Sequence, residues 1–533
     1  MKKTVSRFVV NQQRANLCPD SIEHTIQLFE MGRYADALTG CLNFVNTGDI
    51  RILLALKEIY QFGLAGELDL EKAEDYLSMA ARQDAESCYQ LAQWLERGFR
   101  DDPDPVTAIQ YYLQAADQGH TKALLYVAEC YGSGRLLSRD PAKAFECYLK
   151  ITNRENRLND EAEANAEYRL AMCFLKGIGT EANCQEALHY MSMAARHRSK
   201  EAIYELALMY ITGEGVTPDA RKAFQLMNEV AAMNYAPAQY KLGSMYENAI
   251  GTFENQDRAF SWYHMAYELN YLPAYAKMAS FLLEGTASAR DCRKAREIAS
   301  RAWEMGDADA GYVLYGIYMQ GQGVKTDRQK AVEYLRAAAE GGSIASRRTL
   351  GELYAAGVEG CIEQDFQQSV KWYADAADHN DTEAMMGLAQ LYLSPDSRIQ
   401  DVEKAHQLLV RLAEKFGDRN AYNLLGKLEE EGCFGEPDRN RIRFNFTEAA
   451  RRGLEDAKFS LARLYHEGKL LEKDDHIAYY HIYGISDSYD NPDYPALLKA
   501  VEAGLSEADK KNIRQNVRME TMSIASHKIQ YQG

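Results

Sequence analysis

The chain has 533 residues, 46% of them hydrophobic, and carries a net charge of −17 with an isoelectric point near 5.3. That balance argues against a general nucleic-acid binder, which needs clustered Lys and Arg to release counterions from phosphates. Length alone calls for about three or four domains, but the pattern along the chain overrides that count.

The opening residues, MKKTVSRFVVNQQRANLCPD, hold only the short apolar run Phe8-Val9-Val10. This is too short for a signal-peptide core, and no stretch approaches a membrane span, so the expected location is the cytoplasm. Residues 20–44 read as a degenerate helix pair with Leu28, Phe29, Gly32, Tyr34 and Ala37. From there an Asp followed by Lys-Ala-x-x-aromatic-aromatic-x-x-Ala-Ala returns about every 36 residues. Its first alanine falls at Ala73, Ala108, Ala144, Ala187, Ala223, Ala259, Ala295, Ala331 and Ala405, with Ser369 and Ile442 in the same register and Ala478 last. A fixed period of this size marks a stacked-repeat solenoid, which grows by adding units to a line.

One unit is legible in residues 201–233. Ala202, Leu206, Ala207 and Tyr210 share a helix face. Gly213 and Gly215 break the pattern, since glycine reaches positive φ at little cost. Asp219 stands as an N-cap, and Ala223, Leu226, Met227, Val230 and Ala231 form the inner face of a second helix. Small residues at Ala207, Gly243, Gly351, Ala389 and Gly426 mark where the two helices approach most closely. Pro105, Pro141, Pro237 and Pro273 fall at helix starts. One step is 43 residues, between Ala144 and Ala187, and its polar segment 151–161 implies either longer helices or a protruding loop. The boundaries follow: 1–50 as an N-terminal segment with the degenerate capping pair, 51–490 as about twelve repeats, and 491–533 as capping helices and tail. The last helix opens at Ser506-Glu-Ala-Asp509, a variant capping box.

Leu350-Gly351-Glu352-Leu353-Tyr354 with Trp372-Tyr373 and Ala376-Ala377, and Gly213-Glu214-Gly215-Val216 with Lys222-Ala223, resemble the Sel1-like repeat, a relative of the tetratricopeptide repeat. The resemblance covers nearly the whole chain and implies an all-α, right-handed α-solenoid of helix-turn-helix repeats with capping helices. It also implies adaptors that assemble signalling, envelope or secretion complexes, without catalysis. A secreted branch of the family staples each repeat with a disulfide. The ten cysteines here (Cys18, Cys41, Cys88, Cys130, Cys147, Cys173, Cys184, Cys292, Cys361 and Cys433) do not follow the period. Reduced and mostly buried thiols are expected, in a compartment such as a bacterial cytosol.

No residue set carries a catalytic, cofactor or metal motif. The Gly-x-Gly loops at Gly177/Gly179, Gly213/Gly215 and Gly321/Gly323 lack the continuation of a phosphate loop and recur at the helix turn. His466, His476 and His481 lie ten and five residues apart, which does not place two on one helix face. Arg439, Arg441, Arg443, Arg451 and Arg452 read as a solvated helix face, offset by Asp438 and Glu448.

What remains is surface. If the units pack as the resemblance implies, the first helix of each lines a concave face. Positions two and nine residues after its leading small residue then point into the groove. They supply Tyr168, Leu175, Tyr204, Ile211, Tyr240, Leu283, Tyr312, Met319, Met386 and Leu393, flanked by Glu129, Glu247 and Glu352. The tyrosines serve either inter-repeat packing or binding; a run of Leu, Ile and Met in a groove points to a partner. The expected function is a non-catalytic protein-interaction scaffold that takes a peptide or helix, basic at its ends, between residues 168 and 393. The alternative is an inhibitor or immunity-type protein, or a regulatory subunit, that occludes one enzyme. Neither reading requires nucleic acid, membrane insertion, a small-molecule substrate or a cofactor.

Overall fold

The computed structural model describes residues 21–530 except 67, 100–101, 154–160, 286–289, 396–398 and 487–488. An opening helix pair, Ile22–Glu30 and Tyr34–Phe44, precedes twelve further pairs, running from Ile50–Phe62 with Leu70–Ala81 to Glu455–Glu467 with Asp475–Tyr483. In each pair the first helix is termed A and the second B. Two more helices, Tyr494–Ala503 and Glu507–Gln530, follow. Among the described residues the only extended pairing is a single bridge between Val358 and Ile362, so the fold is an all-α repeat solenoid. It forms two compact units, Met1–Met245 with Ile250–Thr252 and Tyr246–Ala249 with Phe253–Gly533.

In the repeats after the opening pair an aspartate, or an asparagine at 183 and 255, caps the B helix and builds the corner. Asp219 caps its B helix, Ala220–Ala232, by accepting the Lys222 N–H at 3.0 Å. Its own N–H donates back to the carbonyl of Tyr210 in the A helix at 2.9 Å. The same backbone bond ties Asp69 to Tyr60, Asp140 to Tyr131, Asp327 to Tyr318, Asp401 to Tyr392 and Asp474 to Tyr465. The motif lysine closes the corner: Lys222 and Lys330 each lie 4.3 Å from the ring centre of Tyr210 and Tyr318. A cation over a ring face and a capped helix end each contribute up to about 1 kcal/mol at exposed sites. Repetition along the chain makes the sum large.

The Gly-x-Gly loop has two tasks. Gly213 ends the A helix Lys200–Thr212 in the left-handed region, φ 79°. Gly215 (φ 72°) seats the corner on the preceding repeat, where an added Cβ would come within 2.9 Å of the Cys184 Cβ.

Behind the corner, alanines let the helices approach: Ala223, Val230 and Ala231 are fully buried, with Met227 between them. Gly351 plays the same part on an A helix, where a Cβ would meet the Tyr373 ring at 2.6 Å. Gly387 of the next A helix meets the same ring at 2.8 Å. The buried Tyr373 ring is thus clamped between two glycines of successive repeats. In the long step, the A helix Glu161–Lys176 has 16 residues against 13 in its neighbour Lys200–Thr212; the rest of the insertion, 154–160, lies outside the described residues.

A-helix starts are capped as well, by Ser199, Ser343, Asp307, Asp381 and Asp418 among others. Asp307 has an unusual cost. Its Oδ1 accepts from the Asp309 N–H at 3.0 Å, while its Oδ2 is buried without a hydrogen-bond partner. Burial pushes its pKa up to about 6.

Two stability predictions follow from these contacts. Gly351→Ala forces a methyl against the Tyr373 ring and should destabilise by about 1–3 kcal/mol, despite alanine's better helix propensity. An unchanged denaturation midpoint would refute the clamp. The folded state binds the Asp307 proton more tightly than the unfolded state, so stability falls as pH rises from about 4 to about 6 and stays lower above. Asp307→Ser, the residue this chain uses at the equivalent cap positions 199 and 343, should therefore raise the melting temperature at pH 7. The gain should shrink towards pH 4; an equal difference at both pH values would rule out the buried carboxylate as its cause.

Candidate functional site

The ten stripe residues all stand on A helices, in both units. In the first unit they are Tyr168, Leu175, Tyr204, Ile211 and Tyr240; in the second, Leu283, Tyr312, Met319, Met386 and Leu393. Every one is partly buried, neither sealed in the core nor fully exposed. Their helix neighbours differ: Ala202 and Ala207 are fully enclosed beside Tyr204 and Ile211, as are Ala310 and Ile317 beside Tyr312 and Met319. The stripe is therefore the outer margin of each core cluster. Tyr168 and Leu175 pack on the cluster around Met191 and Leu206, and Tyr312 and Met319 on that around Leu335 and Leu350.

The tyrosines take part in packing as well as in surface. Tyr204 stands edge-to-face with Tyr235, just ahead of the next A helix, at 5.7 Å. Tyr89, at the same repeat position, stacks on His120 at 4.5 Å, and His120 meets Glu86 at 2.9 Å. The aliphatic positions carry no such polar tie.

The position nine residues into the A helix has a second use that the sequence reading did not anticipate. Where it holds glutamate, it staples neighbouring repeats. Glu96 accepts the buried Tyr112 hydroxyl of its own B helix at 2.8 Å and the Tyr126 hydroxyl of the next A helix. Glu247 accepts Tyr263 Oη at 2.5 Å and Lys277 Nζ at 2.8 Å in the same arrangement. Glu430 takes Arg463 Nη2 through both oxygens, at 2.6 and 2.8 Å. The signal was available as a tyrosine sixteen residues after the glutamate, at Tyr112 and Tyr263.

The expected acidic flank also has partners within the chain. Glu247 is consumed by Tyr263 and Lys277. Glu129 faces Arg169 at 3.8 Å, and Glu352 faces Arg348 at 3.9 Å. All three carboxylates have cations of the same chain beside them, so the margin calls less strongly for a basic partner. Two half-buried charges in the first unit differ: Glu205, raised above the ordinary carboxylate range by burial, and Lys241, lowered by burial.

The other candidate features separate. His466 pairs with Asp475 at 2.6 Å, His476 faces Asp474 and Asp509, and His481 is half-buried, with desolvation and the nearby Lys458 lowering its pKa to about 4. No cluster of metal-ligating side chains forms among the described residues. Arg451 and Arg452 both pair with Glu448, and Arg441 lies near Asp438 and Glu429. The nine described cysteines are free; five are buried and Cys184 and Cys433 are exposed. No helix among the described residues is long and apolar enough to cross a membrane.

Helix pairs with these corners define a class of α-solenoid repeat. The Sel1 repeat profile matches eleven segments between residues 52 and 482, more than half of the chain, and the chain belongs to the Sel1-repeat family. The pair Arg419–Glu430 and Arg439–Arg451, in which Ile442 replaces the periodic alanine, falls between two matched segments. A curated relative, chitin synthase regulatory factor 2 of Schizosaccharomyces pombe, is 27% identical over 143 residues, 26% of either chain; the match spans about a quarter of that relative's length. Similar solved structures include c5321, a protective antigen of uropathogenic Escherichia coli with an SLR fold (23% identity, TM-score 0.46, 86% of this chain and 97% of that one). A Sel1 repeat protein from Oxalobacter formigenes is also similar (24% identity, TM-score 0.40, 60% of this chain and 89% of that one). Sel1-repeat proteins are generally protein-interaction scaffolds.

If the stripe is margin and not core, Ile211→Ala should cost less than half of what Leu206→Ala costs, the latter being about 2–5 kcal/mol as for other buried leucines. Chemical denaturation of the two variants checks this. Equal losses would place Ile211 in the core.

Proposed function

We propose that this chain is a non-catalytic interaction scaffold that holds a peptide or helix of a protein partner along its A-helix stripe. The observation that carries the reading is the row of half-buried Leu, Ile and Met side chains at repeat position nine, set among fully buried neighbours. A purely structural use of that position exists in the same chain, as the Glu96 and Glu247 staples, and the apolar residues forgo it. Apolar side chains left at a margin, beside rigid tyrosines, gain most by desolvation against a partner. A bacterial cytosol is the setting in which free cysteines such as the exposed Cys184 and Cys433 fit best.

Affinity capture from native lysate, with the wild type beside an Ile211→Ala/Met319→Ala variant shown to be folded by circular dichroism, tests the reading. Loss of captured protein in the variant is the expected result. Capture that is equal in both would exclude the stripe. One abundant stoichiometric partner would favour an inhibitor or regulatory subunit over a scaffold with several partners.

A further inference from the structure

We propose that a pocket at the N-terminal end of the stripe, between the third and fourth repeats, binds a carboxylate carried by the partner peptide. This rests on the reading of the A-helix face as the binding surface, and it names the chemistry that face selects. The pocket has a volume of about 470 Å³ and lies wholly in the first unit. The rings of Tyr126 and Tyr148 and the thiol of Cys130 are among its walls, and Arg135 and Arg169 stand at it with Glu129. The Arg169 guanidinium lies 5.9 Å from the ring centre of Tyr168, so the pocket adjoins the first residue of the stripe.

Tyr148 points to a ligand. It is 6% exposed and lines the pocket, yet no described residue accepts from or donates to its hydroxyl. The hydroxyl is not sealed from water and opens to the pocket, so it is free to donate to an acceptor that a ligand brings there. Burial also raises its pKa, so it keeps its proton and remains a donor; Arg169 and Glu129 are among the charges around it. Tyr112 and Tyr126 on the same face have their acceptor in Glu96. Tyr148 has the equivalent place in the next B helix, four residues after the periodic alanine, but position nine of its own A helix is Gly132 and offers no carboxylate. The pocket is the void left by the missing staple, and a partner's carboxylate would complete it.

The surrounding charges favour an anion of one unit. Arg135 Nη2 donates to Tyr126 Oη at 3.1 Å and lies 3.4 Å from Glu96; Arg169 is held only loosely, at 3.8 Å from Glu129. Both guanidiniums are substantially exposed and have donors to spare. A dianionic phosphoryl group would meet Glu96 and Glu129 at close range. A single carboxylate on an aliphatic stem takes the Tyr148 proton donor and the two guanidiniums, with its stem against the tyrosine rings.

The test places a single 3-fluorotyrosine at position 148 of the full chain and follows its fluorine resonance at constant ionic strength. N-acetylglutamate α-methylamide, whose one charge is its side-chain carboxylate, should give a saturating shift, the uncharged N-acetylglutamine α-methylamide should bind at least about tenfold more weakly, and Arg135→Gln/Arg169→Gln should abolish the difference. N-acetyl-O-phosphoserine α-methylamide, a dianion at its phosphate alone, should bind no more tightly than N-acetylglutamate α-methylamide. Equal responses to the acid and the amide, no response to either, or a difference that survives the double arginine variant would overturn the proposal. Tighter phosphoserine binding would overturn the choice of a monoanion. The readout does not depend on the stripe: a saturating shift beside capture that ignores Ile211 and Met319 keeps the pocket and sinks the groove, and the reverse result sinks only the pocket.

Discussion

The repeated helix pairs depend on the residue that caps the B helix, an aspartate except at Asn183 and Asn255. That one residue satisfies two demands at once. Its carboxylate caps the orphan N–H groups of the B helix, and its own N–H returns to a carbonyl near the end of the A helix, as Asp219 does with Tyr210. Local hydrogen bonds thereby hold the corner between the two helices. Lysine three residues on, lying over the tyrosine ring, shields the corner from water. With the corner fixed, the alanines at Ala223 and Ala231 can close the gap between helices, and the glycine of the loop seats the unit on its predecessor.

The binding proposal follows from what this arrangement leaves over. B helices bury one face against their own and the next A helix. A helices must also link to the neighbouring repeat, and they do so in two ways. Glu96, Glu247 and Glu430 make polar staples, whereas Leu175, Ile211, Leu283, Met319 and Leu393 only border the core. The alternation divides the surface into stapled repeats at 96, 247 and 430 and unstapled stretches between them. Tyr148, a buried donor in a repeat without its glutamate, belongs to the same logic. Its pocket is a staple position left open.

Much of the fold was legible because its determinants are local. The capping aspartate, the loop glycines and the close-packed alanines act within one turn or one corner, so each leaves a mark at fixed spacing. The small residues expected at helix contacts, Gly351 and Gly426, do face the rings of Tyr373 and Phe446. The site was less legible because its meaning lies between repeats. Glu247 looked like a free acid on the groove margin, since its partners Tyr263 and Lys277 are 16 and 30 residues away. The tyrosines at position two looked like either packing or binding, and Tyr204 beside Tyr235 shows that packing claims part of the ring. A hydroxyl lacking an acceptor, as at Tyr148, has no signature in composition or period.

The central claim is that partners meet the A-helix face and not the B-helix face. Site-specific photo-crosslinking measures this directly, with p-benzoylphenylalanine placed at Tyr204 or Tyr312 on A helices and at Glu229 or His264 on exposed B-helix positions. The account predicts crosslinks to partner protein from Tyr204 and Tyr312 and none from the B-helix sites. Crosslinks from Glu229 or His264, with Tyr204 and Tyr312 silent, would contradict it.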